Sequence, residues 1–145
     1  ISMQVQRQAL THLEPIALTA IHRQGQEIVL LGAPETLLLN LQDYIGSVVV
    51  HNKERIAAFT SPRGNLALFW HCDTYQLLGY HAFHDVCGIT VSHDQRSFIL
   101  SNSNGELRYI DALTLQEQKQ RRLEFNAMQW DNHLLSVALP TENNS

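Results

Sequence analysis

The sequence predicts an all-β fold, a β-propeller fragment of antiparallel four-stranded blades, about three of them plus part of another. Three observations carry this. The chain is a succession of short apolar segments, many of them β-branched, punctuated by turn residues. Glycine-centred segments recur: Gly46 in Tyr-Ile-Gly-Ser-Val-Val-Val stands 42 residues before Gly88 in Val-Cys-Gly-Ile-Thr-Val, and Gly64 in Arg-Gly-Asn-Leu-Ala-Leu-Phe-Trp stands 41 before Gly105 in Asn-Gly-Glu-Leu-Arg-Tyr-Ile-Asp. A third pass opens at Asn126-Ala127-Met128-Gln129-Trp130, with Ala127 39 residues after Gly88. A period of ~40–45 residues with four strands in each pass marks propeller blades. An antiparallel sandwich is the rival architecture.

The elements follow in order, all within one partial propeller domain over 1–145. A partial blade over 1–34 takes strands at 1–6, 16–22 and 27–32, with Arg23-Gln24-Gly25-Gln26 as the turn between the last two. Leucines at 37, 38, 39 and 41 fit one short helix or turn between Glu35 and Tyr44. The blade over 43–82 takes strands at 45–50, 55–60, 65–71 and 76–82, with turns at His51–Glu54 and Ser61–Asn65. The blade over 85–124 takes 87–92, 97–102, 106–111 and 116–124. Leu113–Leu123 is rich in helix formers, but the repeat requires an outer strand there, and a polar edge strand is expected. The inner strands of another blade are placed at 127–130 and 134–138, within 126–139. The opening Ile1-Ser2-Met3-Gln4-Val5-Gln6 reads as strand, with no initiator Met and no leader pattern. It is expected to be a cut inside a longer protein, partnered by its missing N-terminal blades or by copies of itself.

Composition narrows the function. The chain has 145 residues, of which 44% are apolar and 17% charged, with 10 basic and 14 acidic side chains and a net charge of −4. That balance argues against nucleic acid as a partner, which calls for a basic face. No apolar run approaches the ~20 residues of a membrane span. The two cysteines exclude a disulfide-rich scaffold. Gly-x-Ser-x-Gly, phosphate-loop and Gly-x-Gly-x-x-Gly patterns are absent.

Strand parity sorts the loops. In a four-strand meander the inter-blade loops and the second-to-third turns share one face. That face gathers Asp43, Tyr44, Thr60, Ser61, Arg63, His81, His84, Asp85, Ser101 and Asn102, and the opposite face takes His51, Asn52, Lys53, His93 and Asp94. Loops on a rigid scaffold carry binding groups, so the ligand-binding candidates are Asp43, Tyr44, Arg63, His84, Asp85 and Asn102. A fixed guanidinium at Arg63 could grip a carboxylate or phosphate, or it could brace loop carbonyls or pair with Asp43 or Asp85. Asp43 and Asp85, 42 apart, read as loop braces repeated in each blade rather than catalytic acids. His81, His84 and Cys87 form His-x2-His-x2-Cys, ligand types that suit zinc or iron. An extended backbone separates the outer two by ~20 Å, so joint metal binding is not expected. No catalytic residue and no cofactor is assigned. Cys87 reads as a small buried residue, and a bridge to Cys72, placed at the other end of the sheets, is not expected. Trp70 is aligned with Asp111, 41 residues on, and Arg108, Lys119, Arg121 and Arg122 read as a solvated, pairing-averse outer edge.

Asp43-Tyr44-Ile45-Gly46-Ser47-Val48, Ser61-Pro62-Arg63-Gly64-Asn65, Asp85-Val86-Cys87-Gly88 and Trp130-Asp131-Asn132-His133-Leu134 resemble, in order and spacing, a bacterial family catalogued as domain of unknown function 1513. Met3-Gln4 and the segment from Leu18 to Gly25 fit the same pattern. The resemblance covers nearly the whole chain, as roughly the C-terminal two-fifths of a member. It implies a seven-bladed propeller, export to the periplasm and a setting beside imelysin-like, iron-regulated proteins; it implies no catalytic residue. The expected function is therefore an exported propeller that binds a ligand or serves as a scaffold, linked to periplasmic iron-related systems. The alternative is a propeller enzyme of lactonase or quinoprotein-like type with its site at the central channel.

Overall fold

The computed structural model describes residues 17–138. Ten strands, one α-helix and one 3-10 turn make up the described chain. A two-stranded ribbon pairs β1 (Ala20–Ile21) with β2 (Val29–Leu30), and its intervening turn closes through Gln26 N–H to Arg23 O at 3.0 Å with Gly25 at φ +77°. The ribbon is shorter than the expected strands at 16–22 and 27–32; the expected strand at 1–6 lies outside the described residues. Helix α1 (Glu35–Asn40) follows Pro34, whose fixed φ suits a helix start. It ends where Gln42 and Asp43 turn left-handed, at φ +50° and +54°.

Two four-stranded antiparallel sheets form the body. The first is β3 (Ser47–His51), β4 (Ile56–Ser61), β5 (Leu66–His71) and β6 (Leu77–Ala82), in that spatial order. The second is β7 (Val86–Val91), β8 (Ser97–Asn102), β9 (Glu106–Asp111) and β10 (Leu123–Glu124), again a simple meander. The middle strands of the first sheet explain the stacking. Ile56, Ala58, Ala67 and Phe69 face the second sheet and pack with Phe83, Val86, Ile89, Phe98, Leu100 and Ile110. Ala57, Phe59, Leu66, Leu68 and Trp70 face the other way and pack with Leu18, Leu31, Leu41 and Ile45. A strand covered on both faces must be apolar at every position rather than at alternate ones; β4 and β5 meet that condition, apart from residues at their ends.

Polar contacts lock the register between blades. Thr60 Oγ1 donates to Cys87 O at 2.6 Å, His51 Nε2 meets Gln95 O at 2.9 Å, and Trp70 Nε1 donates to Gly32 O at 2.9 Å. Phe98 meets both Phe69 and His51 across the same interface.

Three expectations need correction. The outer strand at 116–124 is not continuous: Glu117 bridges Ile110, Lys119–Arg121 form a 3-10 turn, and only Leu123–Glu124 pair with β9. The helix formers assert themselves where, among the described residues, no neighbouring strand lies outside. The segments 127–130 and 134–138 form no strand among the described residues. A two-stranded ribbon without further partners is marginal, and the segment instead lies against β7, with Ser136 N–H on Thr90 Oγ1 at 3.3 Å. The partner of Asp111 in the repeat is His71 rather than Trp70, because each closes its strand opposite the first residue of the second strand, Ile56↔His71 and Ser97↔Asp111.

Candidate functional site

Pairing of Ser47 with Thr60, Ser61 with Leu66, Leu66 with Ala82 and Val86 with Asn102 puts the starts of β3 and β7 and the β4–β5 and β8–β9 turns at one end of the sheets. Asp43, Tyr44, Arg63, His84, Asp85 and Asn102 therefore share a rim.

Their roles divide sharply. Asn102 is buried, and its Oδ1 accepts Asn104 N–H at 3.1 Å and Glu106 N–H at 2.9 Å. It braces the β8–β9 turn, and its acceptor faces the backbone instead of a ligand. Ser61, its counterpart 41 residues earlier, accepts Gly64 N–H at 3.2 Å and donates to Leu41 O at 3.0 Å. Asp85 stands at φ +46° as Asp43 does at +54°; aspartate tolerates this region better than most residues, which accounts for the repeated residue type. The Asp85 N–H donates to Asn65 Oδ1 at 2.6 Å. His84 is exposed in the β6–β7 connection.

Arg63 is the exception. Its guanidinium lies exposed over the Tyr44 ring, 4.9 Å from the centroid. Among the described residues it makes no ion pair and no side-chain hydrogen bond, with Asp85 or any other. Stacking on an aromatic face orients a guanidinium while leaving its N–H fork unused. Tyr44 is itself fixed at its far end, where Asn132 Nδ2 donates to Tyr44 Oη at 3.3 Å. Asn132 was not singled out from the sequence for this role; only its place in the Trp130–Leu134 motif drew attention to it.

The histidine–cysteine constellation does not assemble. His81 Nε2 faces Arg108 Nη1 at 3.3 Å and Glu117 Oε2 at 4.0 Å, on the outer side of the blades, while Cys87 is buried on the inner strand and donates to Asp85 O at 3.0 Å. Among the described residues no three His, Cys, Asp or Glu side chains gather to hold a metal ion. Burial, with the Asp85 and Asp131 charges adding to it, pushes the Cys87 thiol up to about 11. A thiol held protonated is a poor nucleophile. Cys72 is likewise free, buried and pushed up by burial. The basic residues of the outer edge are not simply solvated: Arg122 grips Glu117 at 2.7 Å, Arg108 grips Glu106 at 2.7 Å, and Arg108 lies 4.0 Å over the Phe83 ring.

A repeated turn escaped the sequence reading. His71 Nδ1 accepts the N–H groups of Asp73 and Thr74, and Asp111 Oδ1 accepts those of Leu113 and Thr114. Tyr75 and Leu115 both turn left-handed, and Gln76 O and Gln116 O accept from His71 N–H and Asp111 N–H. The signal was present as Thr-x-Gln at 74–76 and 114–116.

Residues 1–137 match the family described as "Protein of unknown function (DUF1513)". No curated protein matches the chain. Among solved structures it is similar to Saccharomyces cerevisiae Sqt1, with a TM-score of 0.52 and 19% identity over 60% of this chain and 22% of that one. It is similar also to the RRP9 WD40 repeats, with 0.51 and 13% over 59% and 27%. The β-propeller domain of Myceliophteria thermophila Cps50 (Swd1) gives 0.50 and 15% over 59% and 27%. These likenesses show the fold, a WD40-like β-propeller, and the chain spans about a quarter of the length of the propellers it matches.

Proposed function

Because the chain belongs to the DUF1513 family and folds as stacked propeller blades, we propose that it is a binding or scaffold module whose working surface is the rim carrying Arg63. One observation carries this reading: a guanidinium oriented on Tyr44 with its donors unspent among the described residues. Arg and Tyr are the residue types that dominate binding energy at interfaces, and the group that the fork fits is a carboxylate or phosphate on the partner. The family likeness supports export to the periplasm and work beside iron-regulated proteins. Exposed Leu30, Leu135 and Val137 support a covering partner at the ends of the stack, further blades of the same protein in preference to a second copy.

The test is a titration of the 15N-arginine-labelled chain with an oligoglutamate peptide, with oligolysine as control. Saturable movement of the Arg63 Nε–H signal is expected, weakened about tenfold by Arg63→Lys, which keeps the charge and loses the fork. Equal binding by Arg63→Lys, or movement confined to other arginines, refutes the assignment. Fractionation of cells expressing the intact protein tests the compartment, and a cytoplasmic location contradicts it.

A further inference from the structure

We propose that the cleft between the two blades on the opposite rim is a second binding site, for a compact oxyanion of the phosphate or polycarboxylate kind. The cleft has a volume of about 510 Å³, within the range of small-molecule sites. Lys53 comes from the β3–β4 turn, Asp94 and Arg96 from the β7–β8 turn, and Asp111, Gln118 and Arg121 from the end of β9 and the segment after it. The walls belong to both blades, so the site exists only when they are stacked.

Hydrogen-bond accounting gives the ligand class. The Asp94 and Asp111 carboxylates of the cleft are engaged by the protein's own donors, and Glu54 lies 4.0 Å from Lys53 Nζ. Asp94 Oδ1 accepts Ser92 Oγ–H at 2.6 Å and Arg96 N–H at 3.0 Å. Asp111 Oδ1 accepts the N–H groups of Leu113 and Thr114, both at 2.9 Å, and Oδ2 accepts Gln118 Nε2 at 3.3 Å. These bonds hold both carboxyls below their ordinary range, so they stay ionised and offer no O–H donor.

The donors are in surplus. Arg121 lies 4.0 Å over the Tyr109 ring and spends Nη1 on Gln118 Oε1 at 2.8 Å and Ser97 Oγ at 3.2 Å. Its Nε and Nη2 have no acceptor among the described residues. Neither does the exposed Arg96 guanidinium, and Lys53 Nζ reaches only Glu54, at 4.0 Å. An acceptor-rich, donor-poor ligand completes such a set, and planar guanidinium forks match carboxylate and phosphate oxygens. Glu54, Asp94 and Asp111 balance the three cations in formal charge. Recognition therefore rests on donor geometry rather than on a long-range field.

The 15N-arginine-labelled chain, titrated at constant ionic strength with inorganic phosphate and separately with citrate, tests this. The expected result is saturable movement of the Arg96 and Arg121 Nε–H signals, the two sharing one Kd of about 1 mM or tighter, with any movement of the Arg63 signal following a separate Kd. Tighter binding of citrate assigns a polycarboxylate, tighter binding of phosphate a phosphate group. Arg96→Gln, whose side chain makes no contact that folding needs, is expected to weaken binding about tenfold with unchanged melting. No saturable movement with either probe, or an unchanged Kd in Arg96→Gln, overturns the proposal. Movement of Arg63 alone also overturns it while leaving the first rim's assignment standing.

Discussion

Replacing Gly88 by alanine tests the stacking of chain on blade more sharply than any other single change. A Cβ at Gly88 would stand 2.7 Å from Ser101 Oγ, 2.9 Å from Leu134 Cβ and 3.2 Å from Leu134 N. Carbon contacts are favourable at ~3.5–4.0 Å, so Ser101 and Leu134 must both move. Ser101 Oγ is also the acceptor of Gly88 N–H at 3.2 Å, and losing that bond costs about 0.5–1.5 kcal/mol. Overpacking adds about 1–3 kcal/mol, and alanine returns about 0.5–1 kcal/mol of strand propensity. The expected loss is thus about 0.5–4 kcal/mol. Gly79→Ala is the control, since its Cβ would meet only Leu115 Cδ1 at 3.8 Å, and it should be neutral or stabilising by up to about 1 kcal/mol. Urea unfolding followed by circular dichroism reads both as midpoint shifts at constant slope. If Gly88→Ala unfolds at or above the wild-type midpoint, or the two variants behave alike, segment 133–136 does not lie on β7 as described.

Three further outcomes follow from particular residues. Burial holds His81 below the ordinary histidine value of 6.5, with Arg108 and Arg122 adding to the effect against Glu117 and Glu106; the unfolded chain then binds more protons, so the stability of neutral His81 is present above about pH 6.5 and is lost as pH falls through the lower folded value. Urea midpoints at pH 7.5 and 5.5 should differ by more in the wild type than in His81→Gln, and equal differences would contradict this. Cys72 and Cys87, both buried with raised thiols, should resist iodoacetamide at pH 8 until urea is added; rapid labelling of Cys87 in the native chain would sink its structural role. Asn102→Ala should cost about 1–3 kcal/mol by stranding two turn N–H groups while leaving oligoglutamate binding at Arg63 unchanged, whereas Asn102→Asp, which keeps the acceptor, should cost less; a binding loss without a stability loss would return Asn102 to the ligand site.

Much of the architecture was legible because burial on both faces leaves a continuous apolar imprint. Ile56–Phe59 and Leu66–Trp70 read as the middle strands of a blade from their apolar runs, and Gly46 and Gly88 mark close approaches, to Pro62 and to Ser101 and Leu134. The outer edge was less legible. Among the described residues no strand pairs outside 116–124, so local preferences at Lys119–Arg121 compete with pairing on equal terms. The site was half legible: strand parity placed Arg63, Asp85 and Tyr44 on one rim, but sequence could not tell a spent donor from an unspent one. Asn102 and Arg63 both looked like polar loop residues, and only the contacts of Asn104, Glu106 and Tyr44 separate brace from candidate ligand group.

The rim's role as a binding surface turns on Arg63 resting on Tyr44 instead of being held by Asp85. Proton NMR of the Arg63 side chain measures this directly through the ring current of Tyr44. The Arg63 δ-methylene and Nε–H resonances should lie upfield of ordinary arginine, return to ordinary positions in Tyr44→Leu, and stay in place in Asp85→Asn. Resonances that ignore Tyr44→Leu and move with Asp85→Asn would show a guanidinium spent on the protein and contradict the rim as a binding surface.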